Sequence, residues 1–126
     1  MPIDVVTGPG VPASHLPFSP AVRAGGFVFV SGQASVDARG AIVADDFAGQ
    51  MRRSFANVKR VLAGAGLGLA HVVQVRSYLR RAEDVDEYNR IYAQLLGSHR
   101  PARTTITGCL PAPLDYEVDV IAYVGP

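Results

Sequence analysis

Hydrophobic and polar positions change period along the chain, and the changes mark its elements. Phe27-Val28-Phe29-Val30-Ser31 is a short β-rich run after Gly25-Gly26, which predicts a strand. Gln33 to Val36 and Ala41 to Val43 flank the turn signal Asp37-Ala38-Arg39-Gly40, so a hairpin or meander is expected there, and Ile3 to Val6 adds a short strand at the N-terminus. From Asp46 the spacing becomes helical. Phe47, Met51, Phe55 with Val58, and Leu62 recur every three or four residues, and Gly64 or Gly66 ends the stripe; Gln50, Arg53, Asn57 and Arg60 fall on the other face.

Val72 to Leu79 is again a strand, with Val73, Val75, Ser77 and Leu79 on one face and Gln74, Arg76 and Tyr78 on the other. A second helix follows. The acidic run Glu83-Asp84-Val85-Asp86-Glu87 suits the positive end of its dipole, and Tyr88, Ile91, Tyr92 and Leu95 form its buried stripe before Gly97. Arg103 to Leu110 and Tyr116 to Val124, separated by Pro111-Ala112-Pro113, read as two closing strands. The order β-β-β-α-β-α-β-β is an α+β pattern in which two helices cover one face of a mixed sheet. On the last strand Tyr116, Val118, Val120, Ala122 and Val124 point one way, and Glu117, Asp119, Ile121 and Tyr123 the other. That second, half-apolar face calls for a cover of its own, and an oligomer is expected.

Length and composition narrow the function. A chain of 126 residues is read as one domain, 1–126, able to bury roughly two-thirds of its unfolded surface without staples. The lone Cys109 makes no internal disulfide, which points to a reducing compartment. His15, His71 and His99 are too scattered for zinc spacing, so no metal is expected. No segment approaches a membrane span, and Met1-Pro2-Ile3-Asp4 does not open a signal sequence, so a cytoplasmic protein is expected. Net charge is +1, and the basic doublets Arg52-Arg53, Lys59-Arg60 and Arg80-Arg81 are offset by acidic runs; nucleic acid is disfavoured as a partner.

Candidate chemistry gathers at a few places. In Arg100-Pro101-Ala102-Arg103-Thr104-Thr105 a proline-bounded turn delivers Arg103 to a strand start, where its planar fork suits a carboxylate. From spacing alone such an arginine reads first as half of a structural salt bridge. Glu117 lies in an apolar run and, if buried, would have a raised pKa suited to proton transfer; facing solvent or pairing with arginine is the plainer reading of both Glu117 and Asp119. Ser31-Gly32-Gln33 allows close approach of backbone N–H groups to a ligand, or marks a bulge; no nucleophile elbow surrounds Ser31. Asn89 and Tyr92 share a helix face, where they cap backbone or line a pocket. Cys109 reads as a small buried strand residue, and His15 as a surface loop residue.

Several separated segments together resemble one family. Pro17-Phe18-Ser19-Pro20-Ala21-Val22, Phe29-Val30-Ser31-Gly32-Gln33, Gln50, Asn57-Val58, Ala65-Gly66-Leu67, Asn89 with Tyr92, Pro101-Ala102-Arg103-Thr104, Leu110-Pro111 and Glu117-Val118-Asp119 with Ile121-Ala122 are similar to the signature series of the RidA/YjgF family, also described as endoribonuclease L-PSP-like. The resemblance implies a chorismate-mutase-like α+β fold and a homotrimer with a barrel-like sheet core and clefts between subunits. It also implies cofactor-free hydrolysis of enamine/imine intermediates, 2-aminoacrylate and 2-iminopropionate, to 2-keto acids and ammonia. Arg103 matches the family's substrate-carboxylate arginine and Glu117 the carboxylate that positions water. Phe18, Ser31, Gly32, Asn89, Tyr92 and Thr105 are the accompanying substrate-binding positions. Phe18 stands where many deaminases of the family have tyrosine, and Thr105 where some have cysteine. Other activities within the same resemblance are deamination of a larger unsaturated amino acid of the aminomuconate type and a non-catalytic carboxylate-binding or regulatory trimer. The regulatory reading includes RNA-directed translation inhibition.

Overall fold

The computed structural model describes residues 2–12 and 15–125. Six strands form one sheet: β1 (Asp4–Val5), β2 (Ala21–Ala24), β3 (Phe27–Ala34), β4 (Val72–Leu79), β5 (Ala102–Thr107) and β6 (Tyr116–Tyr123). Two helices, α1 (Phe47–Gly64) and α2 (Val85–Leu96), complete the order expected from the sequence, as an α+β fold. Spatially the strands run β1-β2-β3-β6-β4-β5, antiparallel except for the parallel β4–β5 pair that α2 bridges. That crossover puts β5 at the sheet edge, an exposed position for Arg103.

The helices close on one face. Asp46 caps α1 by accepting the Gly49 N–H at 2.8 Å, and α2 ends at Gly97, whose φ of 60° favours glycine. Both helices meet the sheet at Tyr116, whose ring packs on Phe47 and Phe55 of α1 and on Tyr88 of α2. Tyr116, Val118, Val120 and Ala122 are buried there, as their alternation predicts. The Tyr116 hydroxyl and Ser77 Oγ share a hydrogen bond of 2.8 Å inside this core. Tyr116→Phe strands the buried Ser77 hydroxyl and is expected to cost about 1–2 kcal/mol, read as a lower urea midpoint.

Four details depart from the sequence reading. The Gln33–Val36/Ala41–Val43 hairpin reduces to a single bridge, Val36 with Ile42, because β3 runs on to Ala34. Its missing partner is Ala21–Ala24, too short and too close to prolines to signal a strand, yet paired along its length with β3. A bulge between Val72 and Gln74 turns Val73 outward and puts Val72 in the core. The next-to-last strand stops at Thr107: Gly108 and Leu110 both have positive φ, so Cys109 lies in a turn, with its thiol directed at the Leu79 carbonyl.

Helix α1 also hides two amides that periodicity placed on its outer face. Gln50 holds the Asp115 N–H at 2.9 Å and the Pro113 carbonyl at 3.0 Å, and Asn57 donates to the carbonyls of Ala34 and Val36. Each is buried because it satisfies backbone groups that the irregular segments leave unpaired.

Candidate functional site

Arg103 stands on β5 opposite Val75 of β4, and Val75 pairs with Val120, so its side chain turns to the helix-covered face. There its guanidinium lies 4.8 Å from the ring centroids of both Tyr88 and Tyr92, one turn apart on α2. Stacking on two aromatic faces holds the fork without consuming its donors, a contact worth about 0.5–1 kcal/mol per ring where partly exposed. Among the described residues no carboxylate lies within ion-pair distance of it, so the structural salt bridge is not what the chain builds. The Tyr88 hydroxyl shares a hydrogen bond of 2.8 Å with Thr105 Oγ1, while that of Tyr92 is buried without a partner. Burial, then the neighbouring Tyr88, raises the Tyr92 pKa and keeps that hydroxyl protonated as a donor. Tyr88 escaped the sequence reading as a site residue; its i, i+4 relation to Tyr92 on an aromatic helix face was the available signal. Asn89 is exposed on the same helix.

Glu117 gathers the other candidates. It sits opposite Tyr78 on the face that the helices leave open, next to a bulge where β3 spends one extra residue between Val30 and Gln33. The bulge brings Gly32 so close that an added Cβ would fall 3.2 Å from Glu117 Cδ and closer still to Oε2. Ser31 donates its hydroxyl to the Ser19 carbonyl at 2.6 Å. That bond ties the Pro17–Phe18–Ser19 loop to β3, so Ser31 serves here as an anchor for Phe18. A cavity of about 320 Å³ results, lined by Leu16, Phe18, Pro20, Gly32, Val36 and Glu117 among others. Burial, and secondarily the charge of Asp119, pushes the Glu117 pKa above its ordinary value. Asp119 itself is held by Arg76 Nε and the Tyr78 hydroxyl, both at 2.7 Å.

The two groups lie apart. Arg103, Tyr88, Tyr92 and Thr105 occupy the helix side of the edge strand, whereas Phe18, Ser31, Gly32 and Glu117 occupy the open side of the central strands. Phe27, Phe29, Ile106 and Tyr123 are exposed on that open side, with Phe27 and Tyr123 in ring contact at 5.0 Å. One chain therefore carries two separate groups of candidate residues, and large apolar side chains exposed on its open face.

The profile of the family described as Endoribonuclease L-PSP matches residues 10–124, nearly the whole chain. The chain belongs to the Endoribonuclease L-PSP (RidA/RutC) family. A RutC family protein of Pyrococcus horikoshii is 34% identical over 122 residues, covering 95% of this chain and 97% of that protein. The mitochondrial protein MMF1 of Saccharomyces cerevisiae is 32% identical over 96% of this chain and 82% of its own length. The crystal structure of yeast Mmf1 superposes with a TM-score of 0.90 at 30% identity, covering 98% of this chain and all of that one. E. coli TdcF with bound serine gives 0.86 at 28% identity, with 97% and 99% covered. The chain shares the fold of these RidA-type structures, and no described helix is long and apolar enough to cross a membrane.

Proposed function

We propose that this RidA-family chain hydrolyses small 2-imino acids, in the first place 2-iminopropionate and its enamine 2-aminoacrylate, to 2-keto acids and ammonia, with no cofactor. The observation that carries the reading is the split site: an arginine fork free of carboxylates on one face and a half-buried glutamate beside a cavity on the other. Three copies packed through their open faces bring the Arg103 group of one chain to the Glu117 group of the next. Serine bound to TdcF supports a small amino-acid-like carboxylate as the ligand class.

An imine carbon accepts water readily, so the site has chiefly to orient substrate and move protons. Arg103 takes the substrate carboxylate in two parallel hydrogen bonds, and backbone near Gly32 and Thr105 receives its remaining polar atoms. Water adds to the carbon of the protonated imine while Glu117 takes one of the water's protons. Glu117 returns that proton to the carbinolamine nitrogen, and the C–N bond breaks as the hydroxyl gives up its proton and becomes the keto oxygen, releasing ammonia. Phe18 offers no hydroxyl to orient the substrate, and with Leu16 and Pro20 it makes the cavity wall apolar. That wall favours a second substrate class with a larger unsaturated side chain in the same cleft.

The test couples a serine dehydratase, which releases the imine, to detection of pyruvate. Acceleration over buffer is expected, and none sinks the proposal. With the carboxylate as the active form, turnover rises with pH along an acid limb placed above the ordinary glutamate range. Because the charge of Asp119 contributes to that shift, Asp119→Asn is expected to move the limb to lower pH, measured from pH–rate profiles of the two proteins.

A further inference from the structure

A second cavity, about 470 Å³, opens between α1 and the Asp37–Gly40 turn, a size within the roughly 300–1,000 Å³ of small-molecule sites. It shares only the wall formed by Pro12 and Val36 with the Glu117 cavity. Two opposite charges line it without neutralising each other. Arg60 has no carboxylate within ion-pair distance among the described residues; it donates to Asn57 Oδ1 at 2.8 Å. The Asn57 amide is itself fixed, since its nitrogen is spent on the Ala34 and Val36 carbonyls, so it presents its oxygen to Arg60 and holds the guanidinium in place. Asp37 accepts the N–H groups of Arg39 and Ala41 through Oδ1, at 2.8 and 3.0 Å, which leaves Oδ2 for a ligand. Those backbone bonds also lower the Asp37 pKa, keeping it ionised at neutral pH. Arg53, the remaining cation in the lining, is already paired with Asp45. Val11, Val36 and Val43 supply apolar wall to the same cavity.

A lone anion would meet the Asp37 carboxylate, and a lone cation the Arg60 guanidinium. A zwitterion satisfies both. We propose that this cavity is a second ligand site, holding a free α-amino acid with an apolar side chain: carboxylate on Arg60, ammonium on Asp37, side chain against the three valines. The site stands independently of the proposed deamination.

The test is a nuclear magnetic resonance titration of ¹⁵N-labelled Arg103→Ala protein, in which the other candidate carboxylate-binding arginine is absent. The probes are L-phenylalanine, 3-phenylpropanoate and 2-phenylethylamine. L-Phenylalanine is expected to shift the amides of Val36, Ala38, Val43 and Asn57 saturably, with a Kd at or below about 1 mM. Each analogue lacks one charge and should bind roughly tenfold more weakly. Asp37→Asn keeps an oxygen for the turn, and Arg60→Gln alters an exposed side chain, so both variants retain the fold; each should abolish the preference for the zwitterion. Shifts confined to Gly32 and Thr105, no saturable shift, or 3-phenylpropanoate binding as tightly as L-phenylalanine overturns the proposal. Failure of the dehydratase-coupled assay leaves these outcomes unaffected.

Discussion

Two variants each expected to be strongly impaired alone, Arg103→Ala and Glu117→Gln, are expected to regain activity when their subunits are unfolded together and reassembled. Singly, removing the carboxylate fork or the proton acceptor should lower kcat/KM by about 10²–10³-fold, the scale of losing one charged group that acts in the transition state. The reason for recovery lies in the sheet. Arg103 shares a face with Val75 and Val120, and Glu117 shares the opposite face with Tyr78, so no motion within one folded chain brings them together. In the proposed assembly a site takes its arginine from one copy and its glutamate from the next across a heterologous interface. In an equal mixture, roughly a quarter of such interfaces receive both intact groups, and about that fraction of wild-type turnover should return. Mixtures that stay as inactive as their parents, in the coupled assay and with assembly verified by light scattering, would mean that the site does not span chains.

Much of this arrangement is legible in the sequence, and the limits have physical causes. Alternation on Tyr116–Tyr123 identifies the buried face because a strand interior has no freedom to change it, and the stripes of α1 and α2 are equally plain. Periodicity fails where backbone departs from the ladder. The bulge at Val73 reverses a face, and the amides of Gln50 and Asn57 are drawn inward by carbonyls whose lack of partners no local pattern announces. Strand Ala21–Ala24 exists through its pairing with β3 across the two-residue Gly25-Gly26 turn, a local hairpin that the apolar pattern of so short a run does not announce. At the site, sequence context singles out Arg103 and Glu117 as candidates, and the family resemblance gives them roles. Their separation onto opposite faces follows only once β5 is known to lie at the edge beside β4 and Glu117 on the central β6. Tyr88 follows from the same register, because only the fold lays Arg103 over its ring.

Gly32→Ala separates geometry from stability most sharply. Gly32 does not have the positive φ that restricts other glycines, and it is exposed, so alanine is acceptable to the backbone itself. What the new methyl meets is the end of the Glu117 side chain, which can rotate away at little cost to the fold. Thermal unfolding should therefore stay within about 0.5 kcal/mol of wild type, as for surface changes in general. Catalysis should not stay. Turning the carboxylate from the bulge moves it by more than the roughly 1 Å that already costs about 10²-fold where a reacting group must be aligned, so a loss of that size or larger in kcat is expected. In the proposed assembly, substrate capture by Arg103 of the neighbouring copy is untouched, and KM should change far less than kcat. Equal losses in both, or a fall in stability matching the fall in rate, would make Gly32 a structural residue and remove the close approach of β3 from the account of the site.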